Sequence, residues 1–296
     1  MINIHIIGAG SIGLLFAHRL SKCGHSIQII TRSEKQSEEL NRHGVVNQSA
    51  QKITAGPLEH TQFHQADAVL IAVKQYHLEA IMPAISDIPA SIPLIFLQNG
   101  MSHLEHLSSL THEHIFVSTV EHGAKKLNAY SVQHNGVGWW RLAAYRGEDE
   151  KLQSILACHH KDFPIEYESD YLKLLRVKLI KNLMINPLTA IFQVKNGVLA
   201  DNPYFNKMMI SLYEELSAVF PEEIGYCSFQ DILDLCRRTA ENESSMLSDI
   251  KAGRKTEVES LTGYAIKIAE EKNVMPVLLI FLEKSILAIQ IERGSD

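Results

Sequence analysis

The sequence predicts an α/β protein: a doubly wound, mostly parallel sheet over residues 1–168, followed by an all-helical second domain over residues 169–296. Three observations predict it. Short apolar runs alternate with helical periodicity through the first half, the pattern of a parallel sheet with crossover helices. A glycine-rich turn, GAGSIG at 8–13, stands between the first run and the first helix. Past about Glu168 strand signals nearly vanish and long helical stretches follow. A chain of 296 residues has room for two domains sharing an interface.

Taken in order, Ile2 to Ile7 reads as a strand, Ser11 to Cys23 as a helix and Ser26 to Ile30 as a second strand after Gly24, which completes a βαβ unit. Strands follow at Ala68 to Val73, Leu94 to Leu97 and Ile115 to Thr119, with a helix near Tyr76 to Ile85. Tyr130 to His134 and Gly138 to Ala143, joined by the turn-prone Asn135-Gly136, read as a hairpin on the sheet edge. The second half reads as helices over Tyr171 to Val194, Pro203 to Phe220, Phe229 to Glu243, Val258 to Asn273 and Pro276 to Glu292. There is no internal repeat or low-complexity segment.

Composition narrows the function. At 46% hydrophobic and 21% charged residues the chain is an ordinary folded protein. A formal charge of −6 gives a phosphate backbone no general reason to bind, so no nucleic-acid partner is expected. No membrane is expected either, since the most apolar stretch, Val274 to Ile291, carries Glu283 and Lys284. The first residues enter a strand without a basic leader, which reads as cytoplasmic. Cys23, Cys158, Cys227 and Cys236 form no CxxC pair and read as buried free thiols. His103, His106, His112 and His114 lie close together at spacings that suit no familiar metal site, so they read as solvated loop residues and no metal is expected.

Gly8, Gly10 and Gly13 follow a strand and open a helix, the context that makes GxGxxG a dinucleotide signature. Gly8 permits the tight turn, Gly10 lets the backbone approach a pyrophosphate, Gly13 allows close helix packing, and the first helical residues, Ser11 and Ile12, present N–H groups to the anion. A plain glycine turn is the bland alternative. After the second strand, where an NAD-specific domain places a carboxylate, stand Thr31, Arg32 and Ser33. A guanidinium there suits a 2′-phosphate and favours NADPH, unless Arg32 is a solvated surface residue. Lys74 and Asn99-Gly100 fall at the ends of parallel strands, where ligands collect, or are ordinary loop residues.

The stretch from Leu179 to Phe192 is apolar around most of its circumference and should be buried. Lys178, Asn182 and Asn186, spaced i, i+4 and i+8, form one polar stripe on it. Buried ammonium and amide groups need polar partners, so the stripe should face a ligand, water or other polar groups. Solvated lysine and interhelical amides are the alternative. Pro187 should kink the helix beside Asn186. Ser244, Ser245, Thr256 and Glu257 form a second polar group that could equally be caps and loop.

These blocks together, GAGSIG, AVKQY around Lys74, QNG at Asn99, KLIKNLMINPLTA from Lys178 and SSMLSDIKAGRKTE ending at Glu257, resemble the ketopantoate reductase family over nearly the whole chain. The last two blocks are the specific ones. The resemblance implies a Rossmann-type domain, a helical domain like the C-terminal domain of 6-phosphogluconate dehydrogenase, and a cleft between. It implies NADPH-dependent reduction of 2-dehydropantoate to (R)-pantoate on the way to coenzyme A. Arg32 and Lys74 would hold the adenosine phosphate end of NADPH, with Asn99 and Glu257 also contacting the cofactor. Asn99, Asn182, Asn186 and Ser245 would bind the 2-keto acid, Lys178 would donate the proton, and Glu257 would orient substrate or couple to Lys178. Lys181 is a second cation on the same helix, and a homodimer is a further expectation.

Hydride addition to a ketone builds charge on its oxygen, and a lysine with a reference pKa of about 10.4 is a ready donor at neutral pH. Two other readings fit parts of the sequence. A related β-hydroxyacid or polyol-phosphate dehydrogenase would need a second basic cluster, for which Arg237-Arg238 is the obvious candidate. A non-catalytic NADP(H) sensor would need only the glycine turn and Arg32.

Overall fold

The computed structural model describes residues Met1–Gly294, which fall into two compact units. The first comprises Met1–Gln98 and His103–Leu174. The second comprises Asn99–Ser102 and the chain from Leu175 onward.

The strands of the first unit are β1 (Asn3–Ile7), β2 (Ser26–Thr31), β3 (Val45–Asn47), β4 (Ser49–Gln51), β5 (Thr54–Pro57), β6 (Ala68–Ile71), β7 (Leu94–Phe96), β8 (Ile115–Val120), β9 (Gly123–Lys126), β10 (Val132–Gly136), β11 (Trp140–Arg146) and β12 (Ile165–Glu168). Its helices are α1 (Ser11–Lys22), α2 (Glu34–His43), α3 (Leu78–Ser86), α4 (Leu104–Leu107) and α5 (Gln153–Leu156). Eight strands form one sheet in the order β12-β11-β8-β7-β6-β1-β2-β5, and every pairing from β8 to β5 is parallel. β1 pairs with β2 on one side and β6 on the other, so the winding reverses between β1 and β6. Ligands in such sheets bind beyond the carboxyl ends of the strands at that reversal, and the glycine turn follows β1 directly.

Burial on both faces explains the apolar runs: Ile4, Ile6, Val69, Leu70, Leu94, Ile95 and Phe96 are all fully buried. Helix α1 covers one face with Leu14, Leu15, Phe16 and Leu20. There the Phe16 ring meets Trp140 edge-on at 4.6 Å and Phe163 at 5.3 Å, the tilted geometry aromatic quadrupoles prefer.

The expected edge hairpin is not formed. β11 joins the main sheet antiparallel to β8, with Trp140 opposite Val120, and parallel to β12. The run before it, β10, pairs instead with β9 in a separate two-stranded ribbon, Val132 opposite Lys126. The ribbon turns at Leu127–Ser131, where the Asn128 side-chain oxygen accepts from the amides of Tyr130 and Ser131. An asparagine closing its own backbone two and three residues on outweighs the Asn135-Gly136 pair.

In the second unit lie most of α6 (Tyr171–Phe192), then α7 (Asn196–Asp201), α8 (Pro203–Val219), α9 (Phe229–Arg238), α10 (Ser245–Lys251), α11 (Tyr264–Glu271) and α12 (Val277–Glu292). The chain runs helical through Pro187, and Thr189 turns its hydroxyl back onto the carbonyls of Ile185 and Asn186. Ser228 starts α9 through a capping box with Asp231. The stretch read as one helix from Val258 contains a π-helical turn, Glu259–Gly263, before α11. No helix among the described residues is long and apolar enough to cross a membrane. Three cysteines are buried, but Cys23 at the end of α1 is exposed, contrary to the expectation of four buried thiols.

Candidate active site

The glycine turn takes its shape from three different demands. Gly8 has φ +113°, and a Cβ there would stand 2.9 Å from the Ala72 carbonyl carbon. A Cβ on Gly13 would lie 1.9 Å from the Gly8 carbonyl oxygen and 3.4 Å from the Ala72 side chain. A Cβ on Gly10 would meet nothing within 4 Å, so a side chain there would fill the space in front of α1. Gly10 is also the N-cap of α1 and offers no side-chain cap, and the first turn holds no acid. Ser11 and Ile12 are half-buried at that end. An open backbone before an uncapped, acid-free helix start suits a pyrophosphate.

Arg32 is exposed, directly after β2, between Thr31 and Ser33, which caps α2. Thr31 is pinned beneath it by bonds to the Ser33 carbonyl and the Ser37 hydroxyl. Lys74 is half-buried after β6, its carbonyl taking the His77 amide as a short 3₁₀ turn begins. Sequence reasoning missed Gln98. Its buried amide donates to the carbonyls of Ile71 and Val73, both at 3.0 Å, and so fixes the strand end that leads to Lys74.

In the second unit one cavity is lined by Asn99, Asn186, Ser245, Met246, Asp249, Glu257 and Leu261. Asn99 donates from Nδ2 to Glu257 Oε2 at 3.1 Å. Gly100, at φ +78°, brings the backbone so close to Ser260 that a Cβ would lie 2.2 Å from its carbonyl oxygen, which holds the Asn99 loop in place. Asn186 and Glu257 are buried, while Ser245, the first residue of α10, is exposed at the rim. Ser244 does the capping, accepting from the Leu247 amide while its hydroxyl lies 2.7 Å from that of Thr189, and Ser245 is thereby left for other work.

Asp249 was the second omission. It lies one helical turn after Ser245, an i+4 spacing that places both on one face, and it takes the Arg254 Nε at 2.9 Å. Lys178 and Asn182 are half-buried on the same stripe of α6 as Asn186 but are not among the lining residues. Lys181 is half-buried on the same helix, near enough to Cys227 and Asp231 for its charge to lower both their pKa values as a minor contribution. Among the described residues no three His, Cys, Asp or Glu side chains are placed to hold a metal ion. His103 and His112 are fully buried rather than solvated. His103 stacks on Phe96, and burial drives its pKa down to about 3.

Two family models match the chain, ketopantoate reductase PanE/ApbA over residues 4–147 and its C-terminal partner over residues 170–283. The 2-dehydropantoate 2-reductase of Bacillus subtilis is 35% identical over 97% of each chain. The chain belongs to the ketopantoate reductase family. The 2-dehydropantoate 2-reductase of Listeria monocytogenes is 31% identical over 94% of this chain and 93% of its own. Among solved structures, the probable ketopantoate-family reductase of Bacillus subtilis superposes with a TM-score of 0.88 at 34% identity, covering 97% of this chain and all of that one. A D-mandelate dehydrogenase solved with NADH and anilino(oxo)acetate reaches 0.89 over the whole of both chains at 19% identity, a likeness of fold alone. Family members use NADPH, and the glycine turn with Arg32 behind it fits that group.

Proposed function

We propose that the chain is an NADPH-dependent 2-dehydropantoate 2-reductase, with its keto acid held by the polar side chains that converge on the small cavity of the second unit and its cofactor on the glycine turn. The meeting of Asn99, Asn186, Ser245 and Glu257 around one cavity, from segments up to 158 residues apart, carries this reading. The B. subtilis and L. monocytogenes relatives that bear the reductase's name match almost end to end, which supports the same substrate.

Gly8, Gly10, Ser11, Ile12 and Gly13 would hold the diphosphate, Arg32 and Lys74 the adenosine phosphate end, and Asn99 and Glu257 the end nearer the reaction. Bound NADPH supplies the hydride that adds to the keto carbon. Every other task falls to the chain. The Asn186 amide and the Ser245 hydroxyl donate to the substrate's carboxylate and hydroxyl oxygens, with Asn182 supporting them from the same stripe. Lys178 gives a proton from its ammonium to the oxygen as charge builds there. Glu257 orients Asn99 by accepting its amide, which fixes the direction of that donor. A cytoplasmic location belongs to the same reading, and the excess of acidic over basic residues gives a nucleic-acid backbone no general attraction to the chain.

The test is NADPH oxidation across a panel of 2-keto acids, repeated with NADH. The reading predicts turnover on 2-dehydropantoate with NADPH preferred. Faster turnover on another keto acid would replace the substrate, and a preference for NADH would remove Arg32's role. A homodimer belongs to the same reading, since α12 leaves Val277 and Phe281 exposed beside Met275. Light scattering should then give twice the 33.3 kDa chain mass.

A further inference from the structure

The ribbon of β9 and β10 sets a cation against the glycine turn. Lys126, the last residue of β9, places Nζ 2.9 Å from the carbonyl oxygen of Ala9, the residue between Gly8 and Gly10. Gln36, on α2, donates to the same carbonyl at 3.1 Å and to the Ala129 carbonyl at 2.8 Å, which stitches the ribbon's turn to the loop. The Ala9 carbonyl thus accepts from a neutral amide as well as from the ammonium, one on each lone pair. What Lys126 adds there is charge, beside a backbone that carries the partial positive end of α1 and no acidic residue in its first turn. Two like charges side by side are a poor arrangement for the fold alone and a good one for an anion. Lys126 is exposed, and the neighbouring protein atoms draw the ammonium's pKa below the ordinary lysine value by partial desolvation.

We propose that Lys126 is a phosphate-binding residue of the cofactor site, its ammonium bridging the Ala9 carbonyl and a phosphate oxygen of the dinucleotide. The inference rests on the reading that the glycine turn holds NADPH. It makes the ribbon a strap over that turn.

The test is equilibrium binding of NADPH, followed by its fluorescence without keto acid, to the whole chain and to Lys126→Met, Lys126→Arg and Gly10→Val. Removing a charge-assisted hydrogen bond should raise the Kd of Lys126→Met at least about tenfold, and Lys126→Arg should recover most of it. The nucleotide-free melting temperature should stay that of the wild type in both. Parallel titration with NADH locates the phosphate: equal weakening points to the diphosphate, weakening with NADPH alone to the 2′-phosphate. A Lys126→Met Kd within twofold of wild type, or a loss that follows a lowered melting temperature and is not restored by arginine, overturns the proposal. Wild-type affinity in Gly10→Val overturns the underlying reading instead, so the two failures are distinct.

Discussion

Single side chains around the cavity have separable duties. Asn186 is buried with its amide at the cavity wall, and Ser245 is released from capping by Ser244. If these two hold the keto acid, Asn186→Ala and Ser245→Ala should each raise the KM for the keto acid by about 10- to 100-fold, the value of a hydrogen bond to a charged group, with NADPH affinity unchanged. Steady-state kinetics beside a fluorescence titration checks it, and a shift in NADPH affinity instead would move these residues to the cofactor. Asp249, tied to Arg254 on the same wall, has no such assignment, and its position follows only from the turn of α10.

At the level of elements, the glycine turn divides folding from binding. Gly13→Ala drives a methyl into the Gly8 carbonyl, and Gly8→Ala forces a side chain onto a positive φ, so each should destabilise by about 1–3 kcal/mol. Gly10→Ala meets open space and should melt like the wild type. Thermal unfolding of the three variants decides between these outcomes. How legible the elements were depended on how local their causes are. β1, β2, β6, β7, β8 and α6 were plain because burial on all sides writes itself into continuous apolar runs, whereas the parallel-paired β5 and β12 were missed because most of their residues are only half-buried or exposed. The polar stripe of α6 was visible because its spacing is helical. Helix α2, EKQSEELNRH, escaped because it buries little beyond Ser37 and Leu40. The ribbon was misread because the Asn128 turn pairs β10 with the strand before it, β9, and not with the strand after it. Asn99 and Glu257 could be suspected separately, but no local pattern encodes a hydrogen bond across 158 residues.

For the molecule as a whole, stability should depend on buried neutral histidines. Burial pushes the pKa of His103 and of His122 from 6.5 to about 3, and His122 also faces His134, which in turn meets Arg19. The folded state thus refuses protons that the unfolded chain accepts below pH 6.5. The loss of stability begins as pH falls through that value and deepens toward pH 3, at about 1.4 kcal/mol per pH unit for each histidine. Denaturant unfolding at pH 5 should show about 2 kcal/mol less stability per histidine than at pH 7.5, and His103→Leu should flatten that slope. An unchanged midpoint between the two pH values would contradict it. The central claim concerns chemistry rather than stability, and it turns on the lysine of α6. NADPH oxidation with saturating 2-dehydropantoate, compared between the wild type and Lys178→Ala, tests it most directly. The account predicts turnover by the wild type and a fall of about 10² to 10⁴ in kcat for the variant, with NADPH affinity retained; a variant that turns over at the wild-type rate would contradict it.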